Sequence, residues 1–296
     1  MRKFIKLLAG LAGVLVLAVL ALVAVAWFRS EQAMARVYTV SDPPLAIRSD
    51  PQTLARGAHI FATRGCGDCH GAAGEGRLLF DAGPVAKIVP PNITAGGRLK
   101  GMSADQVAAA IRHGVRVDGR PLVFMPAEDF HEMSDADVAA LVAYLQSLPP
   151  SANDPGAMEV RPLGRVLWLF GKFPLLPAET LDHAPRARTA PAVAANAEYG
   201  RYLAQGCVGC HGSKFDGQHV PGTPPEFPDS RNLTPAALAG WQEADFFRAI
   251  REGKRPDGSA INPFMPWQTY AKMSDTELSA LWAYLRTLPP VETKKK

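Results

Sequence analysis

The sequence lacks the short motifs that mark several large enzyme classes. It contains no G-x-S-x-G, no P-loop, no H-E-x-x-H and no dinucleotide-binding fingerprint. Its carboxylates are scattered over predicted helix faces, and no pair among them indicates acid–base catalysis. The net charge is only +4, and three of those charges lie in residues 294–296, a tail that we expect to be solvated. Because no basic stripe is interleaved with aromatic residues, the sequence gives little support for nucleic-acid binding.

Strand signals are also scarce, and the patterns that are present are helical. Hydrophobic residues make up 47% of the chain and charged residues 20%, which is enough apolar content for packed cores and argues against general disorder. The length of 296 residues suggests about two domains. We therefore expect an all-α fold.

The first thirty residues form a separate segment. An uncharged, apolar run occupies residues 7–28 and follows three basic residues within the first six positions. At about 1.5 Å per residue this run spans roughly 30 Å, the thickness of a bilayer core. A secretory signal has an apolar region of only about 7–15 residues, so the length favours an uncleaved transmembrane anchor, although the A-V-A at 24–26 could be a cleavage site. Either alternative exports the chain and leaves its basic N-terminus in the cytoplasm.

All four cysteines of the chain lie in two copies of one hexapeptide, and further positions match at nearly the same offset. The matched positions are CGDCHG (66–71) and CVGCHG (207–212), P-N-I-T (91–94) and R-N-L-T (231–234), Met125 and Met265, and Pro149 and Pro289. Their offset stays at 140 or 141 residues. An offset that is stable over about a hundred residues indicates two domains of the same fold.

This offset divides the chain into five segments. They are an anchor or signal (1–30), a spacer that lifts the next segment off the membrane (31–51), a first module (52–150), a linker (151–195) and a second module (196–292). The linker is rich in proline and alanine, and its apolar stretch at 167–177 is too short and too broken to span a membrane. We expect this stretch to pack against a module or to lie at an interface.

Each module is predicted to contain three main helices, the first of which leads into the hexapeptide. Serine N-caps open the later helices at Ser103, Ser134 and Ser274, each with an acidic or amide residue three positions on. The last helix of each module carries one apolar stripe and ends before Pro149 or Pro289.

The hexapeptide contains C-x-x-C-H, the attachment signature of c-type haem. Two thiols three residues apart each form a thioether to one vinyl group of the haem, and the histidine that follows lies beneath the iron and supplies an imidazole nitrogen. The sequence therefore predicts two covalently bound haem c groups. The residues that would attach and ligate them are Cys66, Cys69 and His70 in the first module, and Cys207, Cys210 and His211 in the second.

Other uses of these cysteines fit less well. A structural zinc site closes four ligands around the metal, whereas each pair here is followed by a histidine and the two pairs lie in separate domains. A thioredoxin-like dithiol needs a βαβ context, for which the sequence gives no sign. Structural disulfides stay an alternative for an exported protein.

Each module resembles a class I cytochrome c domain. The resemblance covers residues 52–150 and 196–290 and is carried by the hexapeptide, the downstream Met-Pro and the closing helix that ends in L-P-P. The order of anchor, module, linker and module resembles membrane-bound di-haem cytochromes c, which pass electrons among dehydrogenases, oxidases and other carriers. The resemblance implies redox partner proteins and a single anchor in the bacterial inner membrane, with the haem domains facing the periplasm.

The sixth iron ligand must lie downstream of the hexapeptide and be matched in both modules. Met125 and Met265 each precede a proline in a loop, which is the setting of the family's axial methionine, and we predict that they ligate the irons. Met133 and Met273 are the alternative pair, but each precedes a helix N-cap and can pack against the fourth helical position. Met102 has no counterpart in the second module.

None of the remaining histidines is matched in the other module, so we expect surface or packing roles, with bis-histidine ligation at one haem left open. They are His59, His113, His131, His183 and His219. Asn92 and Asn232, in matched loops, are either turn formers or hydrogen-bonding partners near a haem edge.

Two filled axial positions leave no open site for a substrate, which favours outer-sphere electron transfer, and methionine ligation raises the potential. The predicted function is therefore that of a periplasmic, membrane-bound di-haem cytochrome c that transfers electrons between a dehydrogenase or quinol-linked donor and a downstream cytochrome or oxidase. The alternative is a di-haem enzyme, such as a peroxidase or a sulfur-compound dehydrogenase, with one substrate-accessible haem. The sequence favours a redox subunit over a stand-alone enzyme, and a haem-based sensor would usually carry a transmitter domain.

Overall fold

The N-terminal segment is one long helix. The computed structural model describes residues 1–293, so the tail at 294–296 lies outside the described residues. Helix α1 (Arg2–Ala35) is, within that range, the one helix long and apolar enough to cross a membrane. Its 34 residues span about 51 Å, so it continues beyond the predicted anchor into the predicted spacer. Ala26, Ser30 and Ala33 form a buried stripe near its C-terminal end.

The first module is built from helices, with a small sheet at one edge. In chain order its elements are α2 (Pro51–Thr63), α3 (Cys66–His70), β1 (Phe80–Asp81), β2 (Ala86–Ile88), α4 (Ala104–His113) and α5 (Asp135–Ser147). The predicted capping box of Ser103 and Gln106 is present at α4, and Ser134 caps α5. These side chains satisfy backbone N–H groups that the first helical turn leaves without a partner.

Helices α2 and α5 pack so closely that their crossing requires a glycine. A Cβ atom at Gly57 would lie 2.1 Å from the carbonyl oxygen of Ala140, so no side chain fits at this position. The close approach completes an apolar core whose large members are Ile60, Phe61, Val107, Ile111, Met133, Val138, Leu141, Val142, Leu145 and Leu148. Each large apolar side chain buried in this way stabilises the module by about 1.5–3 kcal/mol.

The linker contains a strand and a helix that the sequence analysis missed. Strand β3 (Glu159–Val160) pairs antiparallel with β2, which gives a sheet in the order β1-β2-β3. Helix α6 (Pro162–Leu169) begins with proline at its first position, where the missing N–H is not needed. It packs on the end of α1, because Arg165 donates from Nη1 to Ser30 Oγ at 2.6 Å. The apolar stretch at 167–177 packs against the first module, as expected, because Phe173, Leu175 and Leu176 are buried in one cluster with Ala86 and Ile88.

The second module repeats the helical arrangement. Its helices are α7 (Ala197–Leu203), α8 (Val208–His211), α9 (Glu243–Glu252), α10 (Trp267–Tyr270) and α11 (Asp275–Leu285). Helices α7 and α11 cross at Gly200, where a Cβ atom would lie 1.9 Å from the carbonyl oxygen of Ala280. Ser274 forms a capping box with Glu277 at the start of α11. The predominance of helix over a few short strands confirms the all-α prediction.

The segment after α1 does not stand free as a spacer but lies along the first module. The backbone N–H of Tyr38 donates to the carbonyl of Gly119 at 2.8 Å, and Leu45 packs against the apolar core. The carboxylate of Asp42 accepts from Arg188 at 2.7 Å and lies 3.0 Å from the ring of His113. Apolar and acidic side chains of this segment contact the first module, so the segment packs against the module.

Candidate functional site

The two hexapeptides form short helices that present both cysteines and the histidine together. Helix α3 contains Cys66, Cys69 and His70, and α8 begins directly after Cys207. None of the four cysteines takes part in a disulfide bond, which leaves all four available for other covalent bonds. Before any covalent attachment, burial raises the pKa of the Cys66 and Cys207 thiols to about 12.

Each histidine of the hexapeptides is oriented by a backbone carbonyl. His70 Nδ1 lies 2.8 Å from the carbonyl oxygen of Pro91, and His211 Nδ1 lies 2.7 Å from that of Arg231. A carbonyl oxygen only accepts hydrogen bonds, so Nδ1 carries the proton and Nε2 keeps its lone pair. Burial lowers the pKa of both imidazoles. Two neutral imidazoles, each held by an outer hydrogen bond with Nε2 unprotonated, fit ligands of a haem iron.

The two orienting carbonyls belong to turns that are held by buried asparagines. Asn92 Oδ1 accepts from the N–H and the hydroxyl of Thr94, and its Nδ2 donates to the carbonyl of Ser151 at 2.8 Å. Asn232 makes the matching bonds, to the N–H of Thr234 and the carbonyl of Val291. These bonds support the turn-forming role of both residues. They also fix the carbonyl immediately before each asparagine, and hence the histidine.

Sequence reasoning missed Pro91 and Arg231 because they act through backbone oxygen atoms. The recurrence of the loops at 91–94 and 231–234 is the signal that points to them. A side chain at either position is irrelevant to the hydrogen bond, which explains why proline and arginine occupy equivalent places.

Met125 and Met265 lie at the edge of the apolar core in their own module. Met125 packs against the first core together with Cys66, and Met265 packs against the second together with Cys207. Phe124, immediately before Met125, has a φ of 67°, a left-handed conformation that is strained for a bulky residue. Each methionine thus packs against the same core cluster as one cysteine of its module.

Met133 and Met273 occupy the interior of the two cores. Each is only 3% exposed, and each packs within the helix cluster of its module. This position fits the packing role that their place before the N-cap suggests.

The other histidines have hydrogen-bonding partners outside the hexapeptides. His113 and His183 approach within 3.1 Å, His131 Nδ1 lies 2.9 Å from the carbonyl of Arg112, and His59 lies 2.7 Å from Glu277. His219 contacts Thr223. Over residues 1–293, no group of three or more histidine, cysteine or acidic side chains forms a site that could hold a metal ion by itself.

Each hexapeptide helix also contacts the other module. The hydroxyl of Thr269 donates to the carboxylate of Asp68 on α3. On the other side, a Cβ atom at Gly209 on α8 would lie 3.0 Å from Oδ1 of Asp129. Burial, and then the neighbouring Glu128 carboxylate, raise the pKa of Asp129 to about 7. Each hexapeptide helix therefore has one carboxylate beside it. For α3 this is Asp68 on the helix itself, whereas for α8 it is Asp129 from the first module.

Comparison with known proteins identifies the family. A sequence model of the cytochrome c family matches residues 54–149 and 197–289. A diheme cytochrome c-type protein of Cereibacter sphaeroides is 28% identical over 281 residues, which is 83% of this chain and 92% of that protein.

Dehydrogenase subunits are also similar to this chain. The cytochrome c subunit of a quinone alcohol dehydrogenase of Gluconacetobacter polyoxogenes is 28% identical over 82% of this chain and 57% of its own length. The fructose dehydrogenase cytochrome subunit of Gluconobacter japonicus is 24% identical over 80% of this chain and 53% of its own length. The chain spans just over half the length of these two subunits.

The family match falls on the two segments that contain the cysteine pairs and the oriented histidines. The chain therefore belongs to the cytochrome c family, as an electron-transfer cytochrome with two covalently bound haem c groups.

Proposed function

We propose that the chain is the di-haem electron-transfer subunit of a membrane-bound dehydrogenase. It would take electrons from the dehydrogenase or a quinol-linked donor and pass them to a downstream cytochrome or oxidase. The observation that supports this most strongly is the similarity over about four-fifths of the chain to the cytochrome subunits of an alcohol and a fructose dehydrogenase.

In this proposal the haems are held by the residues that the sequence predicted. Cys66 and Cys69 attach the first haem, and Cys207 and Cys210 attach the second. His70 and Met125 would ligate the iron of the first haem, and His211 and Met265 would ligate that of the second. Haem c supplies a one-electron iron couple when it is bound.

The protein's part is to fill both axial positions and to exclude water. The carbonyls of Pro91 and Arg231 hold the imidazoles in one tautomer and one orientation. The methionine loops lie against apolar cores, where the extra charge of a ferric iron is disfavoured and the potential is raised. Two such sites on one chain suit a relay in which one accepts electrons and the other donates them.

The proposed location is the periplasmic face of a bacterial inner membrane. Helix α1 would be the single anchor, since its most apolar 18-residue stretch has a mean hydropathy of 2.9 and faces no other part of the protein. The division into an anchor (1–30), two haem modules (52–150 and 196–292) and an intervening linker (151–195) belongs to the same proposal.

The similar placement of the two methionines disfavours the alternative of a di-haem enzyme. Such an enzyme needs one iron that lacks or sheds its distal ligand, whereas Met125 and Met265 are both present and each packs against the core of its own module. A relay needs no open iron.

Co-purification of the full-length protein tests the proposal. The tagged holoprotein is extracted from its native membranes in mild detergent, and its partners are identified and counted by mass spectrometry, with an untagged strain as the control. We expect a stoichiometric dehydrogenase whose substrate reduces both haems in the purified complex. A di-haem chain that comes down alone, and that is reduced or oxidised directly by small substrates, would favour the enzyme.

A further inference from the structure

Helix α6 buries its charge and exposes part of its apolar surface, while Leu167 and Trp168 pack against a buried cluster of the first module. Its one charged residue, Arg165, is 7% exposed, while Leu163 is 42% exposed and Phe170, at its C-terminal end, is 61% exposed. Leu163, Val166 and Phe170 follow the i, i+3, i+7 spacing of one helix face. We call these three residues the α6 face. A water-exposed helix shows the opposite pattern, so the α6 face is suited to an apolar environment.

The buried charge of α6 is paired with side chains of the anchor helix. Arg165 donates to Ser30 at 2.6 Å, pairs with Glu31 at 2.7 Å, and stacks on the ring of Trp27 at 3.8 Å. An arginine held in this way fixes the position of α6 on α1. It also keeps the α6 face turned away from α1.

The contact with α1 places α6 at the end of the apolar run. The buried stripe that α1 presents there consists of Ala26, Ser30 and Ala33, and the apolar run ends at residue 28. These stripe positions lie within roughly 8 Å of that end along the helix. If α1 crosses a bilayer, α6 therefore lies at the level where hydrocarbon meets headgroups.

The surroundings of α6 continue the same surface. Trp27 and Phe28 on α1 are 46% and 63% exposed, and tryptophan is enriched at membrane interfaces. Arg29, which follows Phe28, and Lys172, two residues after Phe170, are also exposed, and cations at these positions can reach anionic headgroups.

We propose that the α6 face rests on the phospholipid bilayer, inserted at the boundary between headgroups and acyl chains. The inference rests on the membrane anchor in the proposed function. It adds a second membrane contact, which fixes the orientation of the first module. The loop of Met125 is attached to the segment that follows α6. Phe124 donates its N–H to the carbonyl of Leu175 at 2.8 Å, and its ring packs on Phe173. The first haem is thereby held as the membrane-proximal one.

Thiol reactivity measured in nanodiscs tests the contact. Single cysteines are introduced by Leu163→Cys and Phe170→Cys, with Val16→Cys inside the apolar run and Val193→Cys, whose native side chain is 63% exposed in the linker, as references. The four native cysteines are consumed by the haem thioethers, so a membrane-impermeant maleimide reports only the new thiol. Unchanged haem spectra verify that each variant is folded. The discs of anionic phospholipid carry one copy of the holoprotein, and a second set carries two copies.

We expect the cysteines at 163 and 170 to react at least about tenfold more slowly than the one at 193, because an inserted thiol is shielded from water. Equal rates at 163, 170 and 193, with position 16 protected, would overturn the contact and leave the anchor intact. A reactive position 16 would instead overturn the anchor in the proposed function, and the α6 contact with it. Protection that appears only in discs carrying two copies would assign the α6 face to a second chain and would also overturn the proposal.

Discussion

His59 of the first module lies 2.7 Å from the carboxylate of Glu277, the residue that completes the capping box of α11 in the second module. The equivalent contact in the opposite direction is made by Tyr202, whose hydroxyl donates to Asp137 on α5 at 2.6 Å. In both cases the helix before a hexapeptide reaches the first turn of the last helix in the other module. The two modules are thus joined by a pair of matching, exchanged contacts.

Loss of the carboxylate at Glu277 should weaken this junction. Burial raises the pKa of Glu277, but the hydrogen bond from His59, the capping bonds of Ser274 and the charge of Arg56 outweigh it and lower the pKa to about 2. The folded-state value is below the reference value of 4.5, so the stabilisation is present above pH 4.5 and is lost as the pH falls toward 2. We expect Glu277→Gln to cost on the order of 3 kcal/mol at pH 7 in the free energy of unfolding.

Denaturant titrations of the holoprotein at pH 7 and pH 3 measure this difference. The control is Asp275→Asn in the same helical turn, whose side chain is 83% exposed and pairs with Arg251 on the surface. That pair is worth at most about 1 kcal/mol. The account is wrong if the two variants lose equal stability, or if the deficit of Glu277→Gln does not shrink at pH 3.

Replacement of Met265 should affect the second haem alone. Met265→Ala removes the proposed thioether ligand, so we expect the reduction potential of one of the two haems to fall by on the order of 100 mV. This lies within the range of about 0.8 V that axial ligands span. Added cyanide should then bind one haem per chain. Met273→Leu, in the core, preserves volume and should leave both potentials in place. Unchanged spectra and potentials in Met265→Ala would count against the ligand assignment.

The carboxylates beside the hexapeptide helices should set the two potentials separately. Above its pKa of about 7, Asp129 places a negative charge beside α8 and stabilises the ferric second haem. At pH 8, Asp129→Asn should therefore raise that potential by tens of millivolts, roughly one kcal/mol of Coulomb energy. At pH 6 the shift should shrink, because the wild-type carboxyl is protonated.

Asp68→Asn on α3 is the matched control and should raise the potential of the first haem. Potentiometric titration of the full-length protein reads both waves, and the wave moved by Met265→Ala identifies the second haem. If both aspartate variants shifted the reduction potential of the same haem, the assignment of Asp68 to the first haem and Asp129 to the second would be contradicted.

The asparagines behind the orienting carbonyls should each act on one haem. Asn92→Ala leaves the N–H and hydroxyl of Thr94 and the carbonyl of Ser151 without their partner, a loss of about 1–3 kcal/mol. The carbonyl of Pro91 then holds His70 less firmly. Paramagnetic NMR resolves the methyl groups of each haem, and we expect changes confined to the first haem. Asn232→Ala should change only the second, and equal changes at both haems in either variant would refute the local role.

Local signals in the sequence were sufficient for much of the fold. The capping box at Ser103 and Gln106 and the caps at Ser134 and Ser274 form as predicted, because capping depends on residues within one turn. Cys66, Cys69 and His70 lie on one short helix because they too are separated by little more than one helical turn.

Features that depend on distant partners could not be predicted in this way. Helix α6 forms where its only charge meets Ser30 and Glu31, some 135 residues earlier in the chain. The contact of His59 with Glu277 joins residues 218 positions apart in the chain. Because His59 has no matching histidine in the second module, comparison of the two modules did not point to it. Backbone groups such as the carbonyl of Pro91 carry no residue-type signal.

Near-infrared magnetic circular dichroism of the oxidised full-length protein, combined with electron paramagnetic resonance, tests the central claim most directly. These spectra distinguish histidine–methionine from bis-histidine ligation and low-spin from high-spin iron. The account predicts two low-spin haems per chain, both with histidine–methionine ligation, as a relay requires. One high-spin haem with an open position, or one bis-histidine haem, would contradict it.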